Sequence, residues 1–256
     1  MRFIYFSSLL LVISFVLAGC TTKSKLTEET ALTTSVSSSS SSIETTATTY
    51  NSTSAAEIIH FPSQSLIDAV NTKNLARVQQ ILKDKTYDLN ETNNEQNTPL
   101  HLAVQQNEVE IAKLLIEAGA NVNLQNQIQD SPFLYAGAEG RTEILDYMLQ
   151  HSQIDFTVVN RFGGNALIPA AEKGHLENVR LLLEDGRSDI DFQNNFGYTA
   201  LIEVAALREN TELYHTIAQT LIDAGATTEI RDHSNRRAID YAQTKQDTVL
   251  YNLLNK

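Results

Sequence analysis

Thr98-Pro99-Leu100-His101-Leu102-Ala103 is the stretch that decides the fold, because the chain returns to its pattern four times after it. Ser131-Pro132-Phe133-Leu134-Tyr135-Ala136, Asn165-Ala166-Leu167-Ile168-Pro169-Ala170, Thr199-Ala200-Leu201-Ile202-Glu203-Val204 and Arg237-Ala238-Ile239-Asp240-Tyr241-Ala242 keep its order of polar opener, small or proline residue, and largely apolar run. Gln64 to Ala69 fits ahead of them. The units open at 64, 98, 131, 165, 199 and 237, so successive steps are 34, 33, 34, 34 and 38 residues. A period of this length marks an array of small modules, each unable to bury its apolar face alone.

Each part of the unit has a local reason. Thr98, Ser131, Asn165 and Thr199 have short polar side chains of the kind that accept from the free N–H groups at a helix start. Pro99 and Pro132 follow at the first helical position, where a missing N–H is harmless. Gly140 and Gly174, with Asn107 at the equivalent place, predict a tight turn into a second helix, such as Leu176 to Glu184 with Val179, Leu182 and Leu183 inward. Gly119, Gly186 and Gly225 predict its end in left-handed backbone. A loop with an apolar anchor (Leu89, Val122, Phe156 or Ile190) then leads to Asn93, Asn126, Asn160, Asn194 or Asp232.

Two places depart from the pattern. Twenty-six residues separate Thr199 from Gly225, against 21 between Thr98 and Gly119; the surplus falls around Leu207–Tyr214, between or within the two helices. Pro169 stands one turn into its helix, which predicts a lost backbone donor and a local bend. The outermost units are expected to cap the stack, with Leu66, Ile67, Val70, Leu75, Val78, Ile81 and Leu82 as the apolar set of the first and Ile239, Val249, Leu250, Leu253 and Leu254 as that of the last.

Through this register, residues 64–256 resemble the ankyrin-repeat family. Thr98-Pro99-Leu100-His101 has the full family tetrapeptide and the other units are degenerate, while the segment from Arg161 to His175 looks like a bacterial subgroup of the family. The resemblance implies an all-α solenoid of about six helix-turn-helix units with short hairpin loops. It implies structural roles for His101, tying its loop to the next repeat, and for His175, packed at the inter-helix turn. It also implies that a protein partner is held by the hairpin tips and the exposed side of the first helices, along a concave groove. Carried over by register, the partner-binding positions include Ile128, Tyr135, Arg161, Phe162, Asn195, Phe196, Tyr198 and Glu203, with Leu102 and Pro169 equivalent to Tyr135 and Glu203. The tip residues Ile128, Phe162 and Phe196 have two readings: an exposed row with the makeup of a binding hot spot, or side chains packed against the neighbouring hairpin.

The N-terminal part is different material. Arg2 precedes about 16 largely apolar residues, short of the roughly 20 that a spanning helix needs, and the run suits a signal-peptide core. It ends in Leu17-Ala18-Gly19-Cys20, which resembles the bacterial lipobox; the resemblance implies a signal peptide over 1–20 and acylation (palmitate-type chains) of Cys20, with the protein held on the extracytoplasmic side of the cell membrane. Two chains hold stably where one grips marginally. Residues 21–60 are rich in Ser and Thr, with a six-serine run at Ser37–Ser42, and are expected to form a disordered tether with a reach of ~35 Å. The repeat domain is expected over 61–256. Thr21 after Cys20 favours an outer membrane in a two-membrane organism, the Ser/Thr-rich tether a Gram-positive surface; both stay open.

The charge is -12, with 19 bases against 31 acids. Such a surface repels nucleic acid and anionic headgroups and favours a neutral or basic partner. One cysteine precludes an intramolecular disulfide or a cysteine-cluster metal site. The six histidines show neither i, i+4 pairing nor HExxH, Gly163-Gly164 does not lie between a strand and a helix, and Glu108 and Glu110 read as solvated surface. The expectation is therefore a monomeric, non-enzymatic, membrane-tethered module without cofactor or metal, which binds another protein. The alternatives are an immunity or inhibitor protein against a secreted toxin or enzyme, a protective scaffold for envelope proteins, and an accessory subunit of an envelope enzyme.

Overall fold

The polar openers do start helices. The side chains of Thr98, Ser131, Asn165 and Thr199 accept from the N–H groups of His101, Leu134, Ile168 and Ile202 at 3.3, 3.1, 3.3 and 3.2 Å. The structure, a computed structural model, describes residues 60–255. Cys20, the signal segment and residues 21–59 of the expected tether lie outside the described residues. Six helix pairs follow one another: α1 (Ser65–Asn71) and α2 (Leu75–Ile81), α3 (Pro99–Gln105) and α4 (Val109–Glu117), α5 (Pro132–Ala138) and α6 (Thr142–His151), α7 (Leu167–Glu172) and α8 (Leu176–Asp185), α9 (Ala200–Leu207) and α10 (Glu212–Asp223), α11 (Ala238–Thr244) and α12 (Thr248–Leu254). Among the described residues there is no strand, and no helix is long and apolar enough to cross a membrane.

The first helices of successive pairs stack into one layer and the second helices into another. Between the layers runs a continuous apolar core that includes Leu66, Leu100, Leu115, Leu145, Met148, Leu167, Leu182, Leu201 and Ile217. Each fully buried aliphatic side chain contributes roughly 1.5–3 kcal/mol, and helices touch both within a pair and between neighbouring pairs. Leu75 and Val249 depart from expectation: they are 37% and 51% exposed. Both stand in the first turn of their second helices, where the equivalent residues of the inner repeats are themselves half-buried (Val109, Thr142, Leu176) or exposed (Glu110, Glu143, Glu177).

Two left-handed positions recur along the stack, one in the inter-helix turn of every pair but the fifth and one in each hairpin tip. The turn between helices carries positive φ at Lys73, Asn107, Gly140, Gly174 and Gln246, and the hairpin tip carries it at Gln96, Gln129, Gly163, Gly197 and Asn235. At Gly140 the glycine is required, since a Cβ there would meet the His175 ring at 2.6 Å. The fifth repeat lacks the turn residue, because Arg208 is extended with φ -99°. Its surplus is not a loop insertion. Relative to the second repeat, one residue lengthens α9, one lengthens the connection and three lengthen α10.

Pro169 removes a backbone donor at the start of α7, as its position predicts. In the second, third and fifth repeats the first intrahelical bond runs from the N–H of Leu102, Tyr135 or Glu203 back to the opener's carbonyl. Pro169 occupies that position and has no N–H to give. The first bond of α7 is instead Ala170 N–H to Ala166 O, at 3.3 Å.

The first unit solves its helix start differently. Gln64 makes no side-chain cap and sits at φ +72°. The buried Glu91 carboxylate, from the loop after α2, takes over: Oε1 accepts from the N–H groups of Leu66 and Ile67 at 3.2 Å and from the Tyr87 hydroxyl at 2.9 Å, and Oε2 accepts from Gln64 N–H. Charge-assisted bonds of this kind contribute about 1.5–3 kcal/mol.

His101 carries out the tie that its register implies. Its Nδ1 accepts from the Thr98 backbone N–H at 3.0 Å, so Nδ1 is unprotonated and Nε2–H donates to the Asp130 carbonyl at 3.0 Å, 29 residues on. Burial lowers its pKa to about 4.

Two measurements check these contacts. Glu91→Ala should lower unfolding stability by about 2 kcal/mol, with faster amide exchange in α1 than elsewhere in the domain. Because the folded pKa of His101 lies below its ordinary value of 6.5, its contribution is fully present above that pH and is lost as pH falls through about 4. The stability gap between wild type and His101→Asn should therefore shrink on acidification from pH 7 to pH 4, by roughly 3 kcal/mol at most; a pH-independent gap would contradict the neutral tautomer.

Candidate functional site

Each hairpin tip is built on one polar side chain. Asn93, Asn126, Asn160, Asn194 and Asp232 use Oδ1 to accept two backbone N–H bonds across their own tip, at 2.8–3.1 Å. Neighbouring tips are joined as well. Gln127, Asn195 and His233 donate their N–H to the carbonyls of Glu95, Phe162 and Phe196 at 3.1, 2.9 and 3.2 Å. This lattice fixes the backbone, so the residue at the outer corner of each tip must turn its side chain to solvent. Ile128, Phe162 and Phe196 are 51%, 48% and 54% exposed. The Arg161 guanidinium lies over the Phe162 ring at 4.7 Å, and the Phe196 and Tyr198 rings are 6.2 Å apart.

Between these tips and the first helices of the third to fifth repeats runs a groove of about 350 Å³. It brings together Tyr135, Arg161, Phe162, Phe196 and Glu203 of the positions carried over by register, and adds Asp130, Glu139, Glu172, Lys173 and Leu207. Asn195 and Tyr198 are not among its lining residues; Asn195 is exposed and Tyr198 half-buried, with its hydroxyl 3.1 Å from that of Tyr241. Ile128 belongs to a separate shallow depression with Glu95 and Gln105.

One expectation needs correction. Leu102, Pro169 and Glu203 were placed by register on an exposed helix side, yet they are buried and Tyr135 is half-buried. The register holds, but adjacent first helices pack closely, so Tyr135, Pro169 and Glu203 line the groove as its floor while Leu102 is buried outside it.

The floor and walls are charged. Arg161 pairs with Asp130 at 3.6 Å, Lys173 with Glu139, and Arg208 with Glu172 at 2.6 Å. Burial raises the Asp130 carboxyl, and Arg161 draws it back. Glu203 has no such partner. It is 6% exposed, and its Oε2 lacks any hydrogen bond. Burial, with the Glu172 charge beside it, pushes its pKa up to about 7, against the pull of Arg208. Nothing in the sequence flagged this: the acid is legible, but the missing counter-charge depends on which cations the neighbouring repeats have already engaged. Among the described residues no three His, Cys, Asp or Glu side chains converge as metal ligands.

The ankyrin repeat model matches residues 95–127, and the model for three copies of the repeat matches 118–190 and 170–256. Among solved structures, the ankyrin repeat protein EF0377 is 55% identical at a TM-score of 0.76, over 77% of this chain and 99% of that one. An ankyrin repeat domain from Acinetobacter baumannii AYE is 37% identical at a TM-score of 0.72, over 76% and 97% of the two chains. A chain in the complex of the predatory endopeptidase Bd0816 of Bdellovibrio bacteriovorus with immunity protein Bd3460 is similar in fold alone, at 22% identity and a TM-score of 0.63, over 76% of this chain and 98% of that one. Among curated proteins, human transient receptor potential cation channel subfamily A member 1 is 34% identical over 94 residues, 36% of this chain, and the chain spans 8% of that protein's length. The chain belongs to the ankyrin-repeat family, a scaffold for protein–protein interaction.

Proposed function

We propose that the chain is a monomeric, non-enzymatic binding protein, anchored by acylated Cys20 on the extracytoplasmic side of the cell membrane, which holds a protein partner along the tips and groove of the third to fifth repeats. The observation that carries the binding site is the exposed aromatic pair Phe162 and Phe196 standing over a charged groove whose backbone is fixed by tip-to-tip hydrogen bonds. A rigid surface loses little entropy on binding, and large aromatic side chains beside an arginine are the residue types that concentrate binding energy. The anchor rests on the apolar run and Leu17-Ala18-Gly19-Cys20.

A second, narrower reading has an observation of its own. With 31 acids against 19 bases, the chain suits masking a basic surface, as an inhibitor or immunity protein against a secreted enzyme would. The fold likeness to a chain of an endopeptidase–immunity protein complex is compatible with that use.

Two experiments test the proposal. Cys20→Ser should move the protein from the membrane fraction to the soluble fraction; retention at the membrane would overturn the lipid anchor. The double variant Phe162→Ser, Phe196→Ser should keep its helical circular dichroism while losing at least about tenfold in affinity for whichever envelope protein the wild type captures stoichiometrically. Unchanged affinity would exclude the tips as the site. Turnover of a small substrate, lost on changing a single histidine or acid in a folded protein, would replace binding with catalysis.

A further inference from the structure

Three carboxylates that line the groove are each engaged in an ion pair: Asp130 with Arg161, Glu139 with Lys173, and Glu172 with Arg208, which stands outside the lining. Glu203 is left over, 6% exposed, with an oxygen that no donor reaches. Arg208 lies near enough to favour its ionised form, yet the guanidinium is turned to Glu172, and its Nε also lacks a partner, so nothing bridges it to Glu203. A buried carboxylate that no cation hydrogen-bonds is costly to folding even with a charge nearby. The stack does not need it, because the equivalent positions of the other inner repeats and of the last hold Leu102, Tyr135, Pro169 and Tyr241, and the one other acid at this register, Asp68 of the first repeat, is exposed. An acid that destabilises the free protein, is dispensable at its register and faces the groove is a half-built ion pair.

We infer that the groove takes a lysine or arginine side chain of the protein partner, the aliphatic stem lying between Phe162, Phe196 and Leu207 and the cationic head against Glu203 and Glu172. This rests on the binding-module reading above and supplies the partner's chemistry. Phe162, Phe196 and Leu207 are 48%, 54% and 47% exposed, which suits the (CH₂)n stem of a long basic side chain. The charged groups around Glu203 are Glu172 at the end of α7 and Lys173 just after it, Arg208 from the α9–α10 connection, Asp130, Glu139 and Arg161 along the groove, and Lys245 after α11, whose Nζ donates to the Arg208 carbonyl. On the α11 side the neighbouring position is Tyr241, whose hydroxyl donates to Asp232 and which burial keeps protonated. Since Glu203 is partly protonated near neutral pH, an incoming cation displaces that proton, and binding should tighten as pH rises from 6 to 8.

The test needs no natural partner. The full chain, carrying ¹³C in its glutamate carboxyls, is titrated with N-acetyl-lysine amide, N-acetyl-arginine amide and N-acetyl-norleucine amide. The cationic probes should bind about tenfold more tightly than norleucine, should lower the titration midpoint of Glu203 ahead of other glutamates, and should lose that preference in Glu203→Gln. The same variant, free of probe, should have a higher thermal midpoint than wild type at pH 8 and a nearly equal one at pH 5, because a carboxyl raised in the fold withdraws stability as pH rises through its folded pKa. Norleucine binding equally well, a preference that survives Glu203→Gln, or a variant less stable than wild type at pH 8 would each overturn the inference. Partner capture that persists while the cationic probes fail would overturn the lysine or arginine pocket alone, leaving the binding-module reading intact.

Discussion

A two-helix unit of this chain has apolar side chains on more than one face and no means of covering them by itself. That constraint organises everything else. The polar openers, the left-handed turns and the paired tips exist at a fixed period because each repeat must present the surface that its neighbour buries. Side-chain ties reinforce the stacking where apolar contact alone would let units slide. His101 reaches the Asp130 carbonyl, and the fully buried Asn178 donates from Nδ2 to the carbonyls of Ala136 and Gly137 at 3.0 Å, closing the end of α5 from the following repeat.

The same constraint produces the candidate site. Stacking aligns the tips and fixes the first helices into a continuous row, and the space left between tips and row is the groove. Its apolar rim is exposed because the tip backbone is already satisfied by Asn160, Asn194 and the neighbouring tips, so the corner side chain has no structural task. Its floor is buried, which is why a carboxylate there is perturbed while those on the outer helices are solvated. Rigidity and chemistry thus have one origin, and neither needs an enclosed cavity.

Much of this is legible in the residues. Thr98, Ser131, Asn165 and Thr199 cap where they stand, Gly140 and Gly174 take the turn, and Pro169 removes the donor that its position predicts, because these effects depend on backbone chemistry within a few residues. Effects that depend on the adjacent repeat are not. The distribution of the fifth repeat's surplus across two helices and a connection, the capping of α1 by Glu91 from 24 or more residues away, and the burial of Leu102, Pro169 and Glu203 all require the stacking geometry first. The same holds for the tip row, which period alone leaves either exposed or packed, and which the fixed tip backbone resolves as exposed.

Native-state amide hydrogen exchange, followed helix by helix, tests the stacking account most directly. If each repeat is stable only through its neighbours, protection is greatest in α5 to α8, falls towards α1 and α12, and collapses in a repeat when either adjacent unit is removed. Equal protection in every helix, or a terminal pair that stays protected after its neighbour is deleted, would contradict it.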